Sequence, residues 1–414
     1  MAGSEVADTT LAGTGEDRIR WAEGQMPVLR SIRERFGRER PLAGIVVGAC
    51  LHVTSETANL VRTLAAGGAD VALCASNPFA TQDDVAAALA ASGGEVHAVH
   101  GEDADAWAGR VAAVVARGPR VTLDDGADLL TALHGARPDL LDGMLGGTEE
   151  TTTGLVRLRA LEAEGRLACP VIAVNEALTE RAFNDRFGTG QSALDGIVRT
   201  TNLLIAGRTV VVLGYGWTGK GIALRANGLG ASVIVCEVDP MRALEARMDG
   251  FEVLPALLAA ERGDVFVTVT GGRDVLRAEH FDRMKDGAVL ANAGHFDVEI
   301  DLVALRERAE SARDVRPLIE QFVVSGGRRL NLLAGGRVVN LAAAEGHPAA
   351  VMDISFALQA LSVELLARGG LEPGVQPVPE ATDREVAALK LASLGVEIDV
   401  LSPEQERYLR GWQP

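Results

Sequence analysis

Positive charge is what this 414-residue chain is short of: 40 Lys and Arg stand against 57 Asp and Glu, a formal net charge of -17. Such a surface repels phosphates, which excludes nucleic acid as a partner. Cysteine is scarce too. The four present, Cys50, Cys74, Cys169 and Cys236, share no metal-like spacing, so no metal is assigned and no disulfide framework is expected. Cys50, Cys74 and Cys236 sit at the ends of apolar runs and read as small buried thiols. No signal peptide opens the chain and no apolar run is long enough to span a bilayer, which excludes a membrane and points to the cytoplasm. Internal repeats and low-complexity linkers are missing as well. What is left is a globular composition, 47% apolar and 23% charged, long enough to call for two domains.

The most informative stretch present is residues 210–240, VVVLGYGWTGKGIALRANGLGASVIVCEVDP. An apolar β-branched run ends in Gly214-Tyr215-Gly216-Trp217-Thr218-Gly219. A helical stretch follows, then a second apolar run that ends on Glu237. Strand, glycine turn, helix and strand form the dinucleotide-binding fingerprint in its required setting. Gly214 permits the turn, Gly216 lets backbone approach a pyrophosphate, and Gly219 lets helix pack on strand. The helix N-terminus offers free N–H groups and the positive end of its dipole to the phosphates. Glu237 is placed to accept hydrogen bonds from the adenosine ribose, and its charge repels a 2′-phosphate. The expected cofactor is NAD rather than NADP.

Elsewhere, strand-like and helix-like runs alternate. The first dozen residues are small and polar and are expected to fray. From Glu16 to Ile32 apolar residues recur at three- and four-residue steps, as in a helix. Strands are predicted at 44–49, 70–74, 120–123, 264–268, 287–291, 321–324 and 338–340, with helices at 57–66 and 83–91. This βαβα order predicts an α/β protein of two doubly wound parallel-sheet domains, the second an NAD-binding Rossmann domain. The helical stretch 349–367 is too apolar for a linker and reads as a return to the first domain. The predicted division is 1–184 plus 343–414 for a discontinuous substrate-binding domain and 185–342 for the cofactor.

Several segments together resemble the S-adenosylhomocysteine hydrolase family. They are AEGQMP (22–27), LHVTSETANLVRTLAAGGADV (51–71), SNPFATQDDVAAALA (76–90), LDDGADL (123–129) and GGTEETTTGLVRL (146–158). VNEALTERAFNDRFG (174–188), GYGWTGKG (214–221), NAGHFDVEID (292–301) and GGRVVNLAAAEGHPAAVM (335–352) continue the match in order. The resemblance implies an internal redox cycle on a small-molecule nucleoside. Bound NAD oxidises the 3′-hydroxyl, a base removes the acidified C4′ hydrogen, the 5′ substituent leaves, water adds, and the ketone is reduced. It also implies residue roles. His52 corresponds to the histidine near C5′, Thr54 and Glu56 to adenine-edge residues, and Asp125 and Glu150 to carboxylates on the sugar side. Thr151, Thr152 and Thr153 correspond to the hydroxyl run at the cofactor. His295, Asn340 and His347 correspond to residues that line the nicotinamide–sugar cleft.

The departures concentrate on the sugar side. Glu180 stands where the family has a lysine, and Phe183-Asn184-Asp185 where it has Phe-Asp-Asn. Thr189 replaces a cysteine, Gly272 a residue near the cofactor, and Glu345 a methionine. Exchanging ammonium for carboxylate at Glu180 alters local charge by two units. Glu180 and Asn184 are therefore assigned to the catalytic set and Asp185 to the cofactor side. These changes favour a purine nucleoside other than the family's own, acted on by elimination or addition of water at C4′–C5′. An authentic adenosylhomocysteinase and a catalytically silent NAD- or nucleoside-binding regulator are the alternatives. The chain ends in LSPEQERYLRGWQP, where the family continues into a Lys- and Tyr-containing tail that reaches a neighbouring subunit's cofactor. That difference predicts a less enclosed NAD site. The assembly expected is a homodimer or homotetramer.

Overall fold

Runs of β-branched and small apolar residues become strands buried on both faces, as parallel sheets require. The computed structural model, which describes residues 3–412, holds two eight-stranded sheets. The first contains β1 (Glu5–Val6), β2 (Val46–Leu51), β3 (Asp70–Ala75), β4 (Glu95–Ala98), β5 (Val121–Asp124), β6 (Gly146–Glu149) and β7 (Pro170–Ala173). The second contains β8 (Thr209–Leu213), β9 (Ser232–Cys236), β10 (Glu252–Val253), β11 (Val265–Thr268), β12 (Ala288–Asn292), β13 (Ala309–Arg316), β14 (Ile319–Val324) and β15 (Arg328–Leu333). The chain then returns to the first sheet and adds β16 (Gly374–Pro377) beside β7.

The strand order is β1-β4-β3-β2-β5-β6-β7-β16 in one sheet and β10-β9-β8-β11-β12-β15-β14-β13 in the other. In each, the chain winds outward in one direction, returns to the middle and winds outward in the other. The reversals fall between β2 and β5 and between β8 and β11. At such a switch point the loops leaving neighbouring strands part, and a crevice opens at their carboxyl ends.

Several local expectations need correction. Residues Glu5–Val6 do not fray: they pair in parallel with β4, and Thr9–Leu11 form a 3-10 turn capped by Asp8. The helical pattern from Glu16 is two helices, Ala12–Glu23 and Pro27–Glu39, because Pro27 cannot continue the first but fits the opening turn of the second. Val338–Asn340 is no strand. Val338 keeps one bridge to Asn292, and Val339–Ala342 form a helical turn with Val339 in the core. The second sheet is also not wholly parallel, since β14 runs antiparallel to both β13 and β15.

The helix Ala349–Arg368 has the length and apolarity of a bilayer span. Here it packs against helices Pro27–Glu39 and Ser55–Ala66 and against β6. Its Asp353, fully buried, accepts from the backbone N–H of Val28 (3.2 Å) and Leu29 (2.8 Å) and pairs with Lys390 (2.8 Å). A carboxylate at a helix N-terminus meets both free N–H groups and the favourable end of the dipole. The four cysteines are buried free thiols, as the apolar runs beside Cys50, Cys74 and Cys236 imply for those three.

Candidate active site

Three polar residues occupy the crevice of the first sheet because each directly follows a strand. His52 follows β2, Asp125 follows β5 and Glu150 follows β6. Side chains alternate along a strand, so each acid has a neighbour pointing the other way. Asp124, fully buried, caps the helix Asp128–Ala136 by accepting from the N–H of Leu129 (2.8 Å) and Leu130 (3.2 Å). Glu149 accepts from the N–H of Gly126 and of Thr151, both at 2.9 Å. The inner acids fix the two loops, leaving Asp125 and Glu150 to face the crevice. Neither inner acid was singled out from the sequence, although the doubled acids Asp124-Asp125 and Glu149-Glu150 were a signal for such a division.

His52 Nδ1 lies 2.8 Å from Asp125 Oδ2. Burial opposes charge on His52, but Asp125 outweighs it and raises the imidazole above its usual value. Burial likewise disfavours the Asp125 carboxylate, and His52 holds it below the usual range. Glu150 accepts from Ser355 Oγ and Gln359 Nε2 on the long helix. Burial nevertheless lifts Glu150 to about 7. Ser355 and Gln359 were also missed; their signal was a polar pair four residues apart in the stretch between Asp353 and Ser362, which is otherwise apolar.

The segment Glu180–Thr189 winds as a π-helix, and π turns favour functional sites. It buries Glu180 and Asn184, which bond to one another through Asn184 Nδ2 and Glu180 Oε1. Burial drives Glu180 well above the normal carboxylate range, reinforced by Glu150 and Asp185. Asp185, half-buried, is pushed up to about 7 by the same loss of water. Farther along, Thr189 Oγ1 lies 2.8 Å from His347 Nε2, and burial lowers His347 to about 4, so its ring is neutral near pH 7. The π segment also touches the cofactor side: at Gly221 an added Cβ would run into the Arg186 carbonyl.

Other predicted residues are placed less directly. Thr54 and Glu56 stand half-buried at the start of helix Ser55–Ala66, with the Thr54 hydroxyl capping it through the Thr57 N–H (3.4 Å). Thr151 caps the helix Thr152–Ala163 in the same way, and exposed Thr152 donates to Asn175 Oδ1 at 3.0 Å, while Thr153 is half-buried. His295 is exposed on the loop after β12, edge-on to Phe296. Asn340 is buried with its Oδ1 unpaired.

The crevice of the second sheet suits a dinucleotide. Gly214 has φ +109°, and a Cβ there would come within 2.7 Å of the Val269 carbonyl oxygen. A Cβ on Gly219 would overlap the Gly214 carbonyl, which ties strand and helix together. At Gly216, by contrast, a Cβ would meet only Arg242 at 3.9 Å, so the space above the helix N-terminus is open. Thr218 is half-buried in that first helical turn. Glu237 accepts from the Tyr215 N–H (2.8 Å), which holds the acid against the glycine turn.

Comparison with known proteins agrees with this geometry. Residues 185–346 match the model for the "S-adenosyl-L-homocysteine hydrolase, NAD binding domain", and residues 3–139 match that for "S-adenosyl-L-homocysteine hydrolase". An adenosylhomocysteinase of Aquifex aeolicus is 56% identical over 412 residues, covering 99% of each chain. The chain belongs to the S-adenosyl-L-homocysteine hydrolase family. Its cofactor is NAD. An adenosylhomocysteinase of Gloeobacter violaceus is 54% identical, covering 99% of this chain and 96% of that one. An S-inosyl-L-homocysteine hydrolase of Methanopyrus kandleri is 54% identical, covering 99% and 97%. These relatives do not support the preference for a divergent nucleoside dehydratase; the alternative reading, an adenosylhomocysteinase, fits them better.

Two expectations follow for this hydrolase-family protein. Glu237→Ala weakens NAD binding by roughly 10- to 100-fold, the worth of charge-assisted hydrogen bonds to a ribose diol. It also narrows the preference over NADP. Calorimetric titration of the cofactor-free protein with each dinucleotide measures both, and an unchanged NAD affinity contradicts the assignment. The second concerns pH. Asp124, Glu150 and Asp185 sit near 7 when folded, and Glu149 and Glu180 are raised as well. Below the ordinary carboxylate range both folded and unfolded chains hold these protons. Above it the unfolded chain releases them first, so their contribution to stability falls as pH rises toward about 7 and beyond. The cofactor-free protein is expected to melt at a higher temperature at pH 6 than at pH 8.

Proposed function

We propose that the protein hydrolyses S-adenosyl-L-homocysteine to adenosine and homocysteine by way of a transient 3′-ketone. The observation that carries this reading is the His52–Asp125 pair, 2.8 Å apart at the switch point of the first sheet, with Glu150 on the next strand. Bound NAD supplies the reversible oxidation at C3′ that acidifies the C4′ hydrogen. The chain's own groups move the protons. A raised imidazole beside an ionised carboxylate suits a donor to the departing sulfur, and after that transfer the neutral ring accepts a proton from the incoming water. Asp125 orients His52 and, with Glu150, serves the C3′–C4′ side. The family resemblance assigns His295, His347 and Asn340 to the nicotinamide–sugar cleft and Thr151, Thr152 and Thr153 to the cofactor.

At the purine edge an ionised Glu56 accepts but cannot donate. It therefore suits the 6-amino group of adenine and repels the 6-carbonyl of hypoxanthine. The Methanopyrus relative makes the inosyl thioether the second substrate to test. NAD-loaded protein incubated separately with S-adenosyl- and S-inosyl-L-homocysteine, with products read by mass spectrometry, decides between them. Homocysteine from the adenosyl thioether is the expected result. Homocysteine from the inosyl thioether alone would move the substrate. Loss of 18 mass units from free nucleosides, with neither thioether cleaved, would sink the hydrolase reading.

A further inference from the structure

Two acids share this site; His52, the imidazole that Glu150 also influences, is paired with Asp125. Glu180, 1% exposed, lies in the π-helical segment, and Glu150 lies at the end of β6. They are joined through neutral groups. Ser355 Oγ donates to Glu150 Oε1, Asn184 Nδ2 reaches Ser355 Oγ at 3.5 Å, and the same amide donates to Glu180 Oε1. The groups acting most on Glu180 are Glu150, Asp185, Ser355 and Asn184, none of them positively charged. Glu180 Oε2 and Asn184 Oδ1 are buried without a partner. An acceptor without a donor is costly in such a place, so these two atoms suit a substrate group that brings a proton.

We infer that Glu150 and Glu180 act as one carboxylate pair holding a single proton at rest, and that this pair takes the proton of the substrate's 3′-hydroxyl. The inference rests on the hydrolase reading above and deepens it. Two ionised carboxylates in one dry site repel each other, and two protonated ones have no capacity for another proton, so the singly protonated state is the functional one. On oxidation the O3′–H bond breaks and its proton joins the ionised member of the pair. The C3′ hydride passes to bound NAD⁺, and C3′=O forms. On reduction at the end of the cycle the same proton returns to O3′. A lysine at position 180 would do this work as one amine. A glutamate does so only with its neighbour, and Asn184 is the amide that links them without adding charge.

The pair titrates as a unit, with one step near neutrality, where burial places Glu150. Protein labelled with ¹³C at the glutamate δ-carbons and assigned through Glu150→Gln reports that step by NMR. In Glu180→Gln the second, higher step of the pair, which burial and the ionised Glu150 raise, should disappear, while the Glu150 step near neutrality remains. In Ser355→Ala a donor to the ionised form is lost, and the step is expected to rise. The rate at which substrate reduces bound NAD should drop by about 100-fold or more in Glu180→Gln, the usual worth of a proton acceptor. A Glu150 step that does not rise in Ser355→Ala, a higher carboxyl step that persists in Glu180→Gln, or Glu180→Gln reducing its cofactor at the wild-type rate, overturns the inference. Absence of homocysteine release by the wild-type protein is a separate result: it defeats the hydrolase reading while the carboxyl titration still stands or falls on its own.

Discussion

Replacing Gly219 by alanine should leave the protein without NAD and with a weakened fold. A Cβ there would overlap the carbonyl of Gly214, and both sides of the clash are backbone, so no side chain can swing away. The helix Trp217–Gly228 would have to lift from β8, opening the turn whose N–H groups meet the pyrophosphate. Overpacking of this kind costs on the order of 1–3 kcal/mol or more. The control is Gly216→Ala. Its Cβ meets only Arg242, at 3.9 Å, so this variant should keep its melting temperature without cofactor and still bind NAD poorly, because the methyl enters the ligand's space. Absorbance of the purified proteins at the nucleotide band, together with calorimetric melting, separates the two. A Gly219→Ala protein that purifies with full NAD content contradicts the account.

His52→Ala should abolish net hydrolysis, by about 10²- to 10⁴-fold for the loss of one positioned proton carrier, yet leave substrate able to reduce bound NAD. The reduced nicotinamide would accumulate and be visible in the absorbance spectrum. Loss of both activities would place His52 in binding or folding instead. The same change removes the partner of a buried carboxylate. With His52 gone, burial dominates Asp125 and raises it, so the folded variant gains affinity for a proton. Below the ordinary imidazole range, where wild-type His52 is protonated both folded and unfolded, the variant's stability deficit should therefore shrink as pH falls toward the ordinary carboxylate range. Breaking a buried pair costs roughly 3–5 kcal/mol, enough to follow by denaturant titration.

The cofactor crevice was legible in the sequence because strands β8 and β9 are nearly unbroken apolar runs and the glycines between them have single uses. Gly214 needs a positive φ and Gly219 a missing side chain, and no other residue serves either position. Strand β13 was hidden for the opposite reason. Its residues AESARDVR lie at a sheet edge, nearly all exposed, and carry no apolar alternation. Strand β6 reads Gly-Gly-Thr-Glu, a poor strand former, and is held in place by neighbours on both sides. Within the site, His52, Asp125 and Glu150 were legible because each sits just beyond a strand. Ser355 and Gln359 were not, since the chain gives no hint that residues more than 200 positions after Glu150 return to touch it. The departures at Glu180 and Asn184 were seen, but the relatives do not support their reading as a changed reaction. A charge reversal viewed alone suggests a new substrate, whereas the fold supplies a second acid and an amide beside it.

That return of the chain orders events during synthesis. The helix Ala349–Arg368 and strand β16 complete a sheet whose other strands end at Ala173. A ribosome must therefore deliver about 180 further residues, including all of the second sheet, before Asp353 can cap the helix Pro27–Glu39 or Ser355 can reach Glu150. During that interval the helices Pro27–Glu39 and Ser55–Ala66 expose the faces the late helix will cover, a period of vulnerability to chaperones, proteases and self-association. The contiguous cofactor half has no such wait. Pulse-labelled nascent chains should thus acquire protease resistance first between residues 190 and 340, and the catalytic pocket should be the last part of the molecule to close.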